Sequence, residues 1–353
     1  MTKEQKKEKI YLYDSTLRDG AQARGVDFTV ADKQAIAREL DKIGIDYIEG
    51  GWPGATPNDD AFFAEPPALR TAKLSAFGMT RRSGRSAEND PALAALLESG
   101  AKSICLVGKS WDKQIKSTLN VSLPENLKMI GDSIKHIAKN KREALYDAEH
   151  FFDGYKANPQ FAIDCLKSAF DAGARWIVLC DTNGGSLPFD IEEIVTEVAK
   201  HIPSKNLGIH CHNDTDNAVA NSLSAVRAGV RQVQGTINGI GERCGNANLI
   251  SIIPNLMLKM GFATGVSEEK LTSLTHLSHL LDERLNRLPN QHAPYVGGAA
   301  FAHKGGLHVS AMAKDSTSYE HIKPELVGNK RTILVSDKAG KSNILDRLVQ
   351  FGD

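Results

Sequence analysis

The stretch Ile10-Tyr11-Leu12-Tyr13, followed at once by Asp14-Ser15-Thr16-Leu17-Arg18-Asp19-Gly20-Ala21-Gln22, decides how the chain is read. The first four residues form a short apolar run and read as a strand. The polar burst behind them reads as a loop. Arg, Asp and Gln around a single Gly are poor core material. They suit an anion and a cation held at the mouth of a parallel barrel.

The same punctuation recurs along the chain. Short β-rich runs at 10–13, 47–51, 74–78, 103–107, 144–147, 176–180, 207–211 and 232–237 alternate with amphipathic segments at 30–43, 92–97, 123–140, 160–172, 190–201 and 216–228. Gly44, Gly173 and Gly229 stand just past three of these segments, where a helix stop is expected. Strands joined by helices are parallel, and eight such units favour a closed (β/α)8 TIM barrel. An open doubly wound sheet is the alternative, but no Gly-x-Gly-x-x-Gly follows the first strand. A barrel takes about 250 residues. The chain of 353 is therefore expected to place an α/β barrel in 1–265 and a small, mostly helical linker or lid subdomain in 266–353.

Composition removes several classes of function. Lys+Arg and Asp+Glu both number 43, so no basic footprint for nucleic acid or a membrane surface is expected. No apolar run approaches the ~20 residues of a membrane span. Met1 to Lys9 is polar, with no apolar stretch behind it, and reads as a frayed tail rather than a signal peptide. The five cysteines include no Cys-x-x-Cys pair. Reduced thiols in a cytoplasmic protein are expected, not a disulfide framework or a thiolate zinc site.

Chemistry concentrates at the strand ends. Arg18 and Asp19 follow the first strand, Glu49 ends the second, and Glu149 and His150 follow the fifth. Asp181-Thr182-Asn183 follow the sixth, His210-Cys211-His212 end the seventh, and Glu242, Arg243 and Asn246 follow the eighth. In a barrel these ends converge on one face. Alternation along a strand turns both imidazoles of His210 and His212 to one side. With Asp19 they form a ligand set for a divalent cation, and Asn246 offers a neutral oxygen. Buried core histidines are the competing reading, favoured for a lone His but not for this pair. Arg18 suits the carboxylate or developing oxyanion of an anionic substrate. Its competitor is an ion pair with Asp19 that closes the barrel end. Thr182 is a hydrogen-bond donor for the same carboxylate or a simple cap. Glu149 is a general base or a supporting partner of Arg18 or a ligand His. Asp147 and His150 have no clear role.

Past the barrel, 271–285 is leucine-rich and helical. His303 and His308 flank a Gly pair in a loop, and Tyr319 and 335–343 follow. This region reads as a lid over the barrel mouth or as a dimerisation arm. Gly340-Lys341-Ser342 lacks the upstream Gly of a phosphate-binding loop.

Residues 14–22, 210–214 and Asn238-Gly239-Ile240-Gly241-Glu242-Arg243-Cys244-Gly245-Asn246 together resemble the 2-isopropylmalate, homocitrate and citramalate synthase family. Ile48-Glu49-Gly50-Gly51-Trp52-Pro53-Gly54 and 146–152 look most like the citramalate synthase branch. The resemblance implies a metal-dependent TIM-barrel acyltransferase that joins acetyl-CoA to pyruvate, a step towards isoleucine. It implies Asp19, His210, His212 and Asn246 as ligands of Mg²⁺, Mn²⁺ or Zn²⁺, and Arg18 and Thr182 on the 2-oxo acid. Glu149, His308 and Tyr319 would handle proton transfer and thioester hydrolysis. It further implies a homodimer, and a C-terminal regulatory domain for which no room is left before Asp353, so feedback control is not expected. Met79, Leu106 and Tyr146 are the expected pocket wall. A 2-isopropylmalate synthase is the near alternative, and a metal-dependent aldolase or lyase on the same barrel the further one.

Overall fold

Eight parallel strands close into a barrel in sequence order: β1 (Tyr11–Asp14), β2 (Tyr47–Gly51), β3 (Lys73–Met79), β4 (Ser103–Lys109), β5 (Glu143–Glu149), β6 (Trp176–Asp181), β7 (Leu207–Cys211) and β8 (Gln232–Gly235). β1 closes the ring by pairing with β8, Tyr11 opposite Gln232 through Asp14 opposite Gly235. The structure is a computed structural model and describes residues 7–304 and 315–334. The chain divides into two compact units, 1–265 and 266–353.

Helices wrap the barrel because each carries its own start and stop signals. Thr29 and Asp32 form a capping box at the head of Val30–Ile43, and Gly44 ends that helix at φ 109°. Asn158 caps Pro159–Asp171, whose first residue is a proline that gives up no needed hydrogen bond. Some helices escape the periodicity. Pro57–Ala64 and Phe151–Ala157 are short and carry adjacent phenylalanines, which blur the 3.6-residue repeat. Strands β3, β4 and β5 run one or two residues further than their apolar runs, and their last residues, Met79, Lys109 and Glu149, reach the barrel mouth. No helix among the described residues is long and apolar enough to cross a membrane.

The barrel interior is packed by alternate residues of the strands, among them Tyr13, Tyr47, Phe77, Leu145 and Trp176. Trp176 Nε1 donates to the Tyr47 hydroxyl at 3.1 Å, which in turn donates to Glu143. The second unit holds helices Glu268–Leu271 and Leu274–Arg284 and a two-stranded parallel pair, β9 (Ala302–His303) and β10 (Thr332–Ile333). The leucine-rich stretch is thus two helices. The Thr272 hydroxyl donates to the Glu269 carbonyl at 2.7 Å and closes the first.

The loop after β1 is built by Asp14. Its carboxylate, wholly buried, accepts from the Thr16 amide at 2.9 Å and the Thr16 hydroxyl at 2.8 Å. That hydroxyl accepts from the Ile237 amide at 2.9 Å, which ties the first loop to the eighth. Burial pushes the Asp14 carboxyl up to about 7. The folded state therefore holds a proton that the unfolded chain has released. Stability from this group is expected to fall as pH rises from about 4 to about 7, by roughly 4 kcal/mol. Asp14→Asn, neutral throughout, should flatten that decline in urea unfolding free energies measured from pH 5 to 8. An unchanged slope would refute this account.

Candidate active site

Parity along the strands fixes what reaches the barrel mouth. On β3 the inward residues are Ser75, Phe77 and Met79, on β4 Cys105, Val107 and Lys109, and on β5 Leu145, Asp147 and Glu149. Leu106 and Tyr146 have the opposite parity. Both are fully buried, and the Tyr146 hydroxyl donates to the Gly108 carbonyl. The expected pocket wall is therefore corrected: Met79 lines the cavity, and Val107 rather than Leu106 or Tyr146 stands beside it. The cavity measures about 280 Å³, and Trp52, Phe77 and Cys180 supply the rest of its apolar lining.

At one side of it sits a group of ligand atoms. Asp19, His210 and His212 are all buried, and one donor atom from each lies within 4.8 Å of the others. His210 Nε2 is 3.2 Å from His212 Nε2 and 3.3 Å from Asp19 Oδ2, and His212 Nε2 is 4.0 Å from the same oxygen. The Nδ1 atom of His210 faces Gln234 Oε1 at 2.9 Å; with the imidazole proton on Nδ1, Nε2 is left as a lone pair. Two imidazole nitrogens and a carboxylate oxygen aimed at one point could hold a cation between them. Asp19 Oδ1, His212 Nδ1 and Asn246 Oδ1 are buried without a hydrogen-bond partner. Asn246 pairs with His212 in a β-bridge, and its Nδ2 donates to the Ile240 carbonyl, so the carbonyl end of the amide is the one kept in reserve. This donor set fits a divalent cation with positions left for substrate oxygens.

Charge follows the same logic. Burial opposes ionisation of Asp19, but Arg18 and the two histidines hold its carboxyl far below the usual range. Burial and the neighbouring His210 push His212 down to about 4. Burial also disfavours charge on His210, yet the bond to Asp19 lifts it above the ordinary histidine value.

Arg18 does not simply pair with Asp19. Its Nε donates to Glu49 Oε2 at 2.7 Å, while Nη2 is 3.7 Å from Asp19 Oδ2. Its guanidinium stacks 3.8 Å from the Phe77 ring centroid. Glu49 is fully buried and is held on its other oxygen by the Tyr13 hydroxyl at 2.7 Å. The guanidinium is thus fixed by three contacts and turns its free edge to the cavity. Thr182 lines the cavity, and its hydroxyl accepts from the His150 amide at 2.8 Å, leaving the hydroxyl proton to donate. Glu149 also lines the cavity, but neither Arg18 nor a ligand histidine is its partner. Lys109 Nζ lies 2.5 Å from its Oε2. Arg243 bonds Asp214 through two nitrogens and the Thr182 carbonyl through Nη2, tying the loops after β6, β7 and β8 together.

Arg18, Asp19, Glu149, Thr182, His210 and His212 are thus brought to one cavity. His308 lies outside the described residues. Tyr319 belongs to the second unit and is 46% exposed there. Lys109, Gln234 and the pairing of Glu49 with Arg18 are what the sequence reading missed. The available signal was a polar residue at an inward position of an otherwise apolar strand.

The HMGL-like family model matches residues 9–278, and a homocitrate synthase post-HMGL domain-like model matches 295–352. The chain belongs to the HMGL-like family. It is 52% identical to an (R)-citramalate synthase of Aquifex aeolicus over 98% of this chain and 66% of that protein. It therefore spans just under two thirds of that relative's length. It is 33% identical to a 2-isopropylmalate synthase of Sulfolobus acidocaldarius over 94% of this chain and 83% of that one. Among solved structures, an HMG-CoA lyase from Pseudomonas aeruginosa superposes with a TM-score of 0.66 at 19% identity, covering 80% of this chain and 94% of that chain. At that identity the likeness is one of fold.

Mn²⁺ titrated calorimetrically into the protein should bind, and Asp19→Ala should abolish the heat while circular dichroism shows the barrel intact. Binding requires neutral imidazoles, so affinity should rise with pH through the raised range of His210 and be accompanied by proton release. Affinity that does not vary with pH would refute the participation of His210.

Proposed function

We propose that the protein is an (R)-citramalate synthase, joining the methyl carbon of acetyl-CoA to the keto carbon of pyruvate and hydrolysing the thioester to release CoA. The observation that carries this reading is the convergence of a fixed guanidinium, Arg18, and a three-residue cation-ligand group on one small cavity. A 2-oxo acid presents the matching pair of features, a carboxylate and an adjacent keto oxygen. A divalent cation held by Asp19, His210, His212 and Asn246 would supply Lewis-acid polarisation of that keto group.

The chain's own residues do the rest. Arg18, with its Nε edge occupied by Glu49, offers its remaining nitrogens to the substrate carboxylate. Thr182 adds a hydroxyl proton from the facing strand end. Glu149 takes a proton from the acetyl methyl group in this scheme, and Lys109, 2.5 Å away, pairs with its carboxylate. Phe77, Met79 and Val107 keep water from the enolate that results. Proton transfer during thioester hydrolysis is assigned to His308 and Tyr319 on the strength of the sequence resemblance. A cytoplasmic homodimer completes the proposal.

The contrast between 52% and 33% identity supports pyruvate over 2-oxoisovalerate. The wall formed by Met79 and Val107 bears on the same choice, since it faces the space a substrate side chain would take. Thiol release from acetyl-CoA should depend on pyruvate, exceed that with 2-oxoisovalerate, and stop on addition of EDTA. Turnover with neither oxo acid in the presence of Mg²⁺ or Mn²⁺ would sink the synthase reading. Met79→Ala should shift the kcat/KM ratio towards 2-oxoisovalerate by about tenfold, the scale of a methylene or two in an apolar pocket.

A further inference from the structure

Beneath the ligand group, a second line of buried polar side chains crosses the barrel. Gln234 is 1% exposed and lies opposite His210 in the β7–β8 register. Its Oε1 is 2.9 Å from His210 Nδ1, and its Nε2 donates to Asp147 Oδ1 at 3.0 Å. Asp147 is buried on β5, across the barrel interior from β8. None of these contacts is with the cavity's substrate-facing edge formed by Arg18 and Thr182.

A glutamine amide can face either way, and its two ends ask for opposite things. If Oε1 faces His210, the imidazole must carry its proton on Nδ1, and Nε2 is a lone pair free to ligate. If the amide turned over, its N–H would face Nδ1. The proton would then sit on Nε2, pointing at Asp19 and His212, and the ligand would be lost. Asp147 Oδ1 stands 3.0 Å from the far end of the amide, and an ionised carboxylate there accepts hydrogen bonds and does not donate them, which selects the first orientation.

We propose that Asp147 and Gln234 form a positioning relay that sets the tautomer and ring orientation of His210 as a metal ligand. The inference rests on the reading that Asp19, His210 and His212 hold a divalent cation. It assigns work to two residues outside the ligand group, of which Asp147 also lines the cavity. Supporting groups of this kind, when removed, weaken metal binding about 10–100-fold.

The test is Mn²⁺ affinity by titration calorimetry, with the melting temperature of the metal-free protein measured alongside. Gln234→Leu keeps the volume and removes the acceptor. It should bind Mn²⁺ about 10–100-fold more weakly. The exchange D147N/Q234E conserves charge and rebuilds the pattern in mirror form. The amide introduced at position 147 donates to the carboxylate introduced at position 234, which accepts from His210 Nδ1. The double exchange should recover the wild-type affinity to within a few-fold. A merely structural role would lower the melting temperature of Gln234→Leu and leave the Mn²⁺ affinity of the folded protein unchanged, which would overturn the relay. Recovery of stability without recovery of affinity in the double exchange would overturn it too. Should Gln234→Leu not fold, Asp147→Val leaves the His210 contact in place but frees the amide, and an unchanged affinity there counts equally against the relay. Failure of the wild-type protein to bind Mn²⁺ is a separate result, and it overturns the metal reading beneath.

Discussion

Closure of β1 against β8 is the constraint on which the site depends. The backbone pairs from Tyr11–Gln232 to Asp14–Gly235 bring the loop that carries Arg18 and Asp19 beside residues that lie at the far end of the barrel sequence. Without that closure Asp19 has no histidines, and Arg18 is left with Glu49 on β2 and Phe77 on β3. The Asp14–Thr16–Ile237 bonds extend the same closure into the loops. Backbone pairing therefore sets the site's dimensions, and side chains then refine it within a frame they do not have to build.

Within that frame, charge is managed by pairing rather than by exposure. Arg18 is partly buried but shares Glu49 and Asp19 and stacks on Phe77. Glu149 is matched by Lys109, and Asp214 by Arg243. An unpaired buried charge would be costly, so these ions of the cavity wall are compensated by neighbours. In the cluster of Asp19, His210, His212 and Asn246, Asp19 Oδ1 and Asn246 Oδ1 are among the buried oxygens without a hydrogen-bond partner. Those two oxygens, beside two imidazole nitrogens, suit a divalent cation. They contrast with the paired groups around them.

Much of this was legible in the sequence because it follows from periodicity. Strand–helix alternation marked eight units, and a His-x-His at a strand end turned two imidazoles to one face. The failures share a cause. Leu106 and Tyr146 look like pocket residues by composition, but strand parity turns them outward, and parity depends on the strand's register rather than on residue type. Lys109 and Glu149 looked like strand flanks because β4 and β5 outrun their apolar cores. Gln234 sat in a run that reads only as a strand. Its importance depends on a neighbour across the pairing, which no local window contains.

The sequence by itself determined the order of elements, the closed parallel barrel and the identity of the converging strand-end residues, because these follow from local hydrophobic period, caps and breakers. Tertiary structure alone decided which charge neutralises which. It gave Glu49, not only Asp19, to Arg18, Lys109 to Glu149, and Gln234 to His210. The reason is range. Periodicity is written over a few residues, whereas a hydrogen bond or ion pair is settled by ångströms between side chains that the chain separates by 24 to 40 positions and only strand pairing brings together.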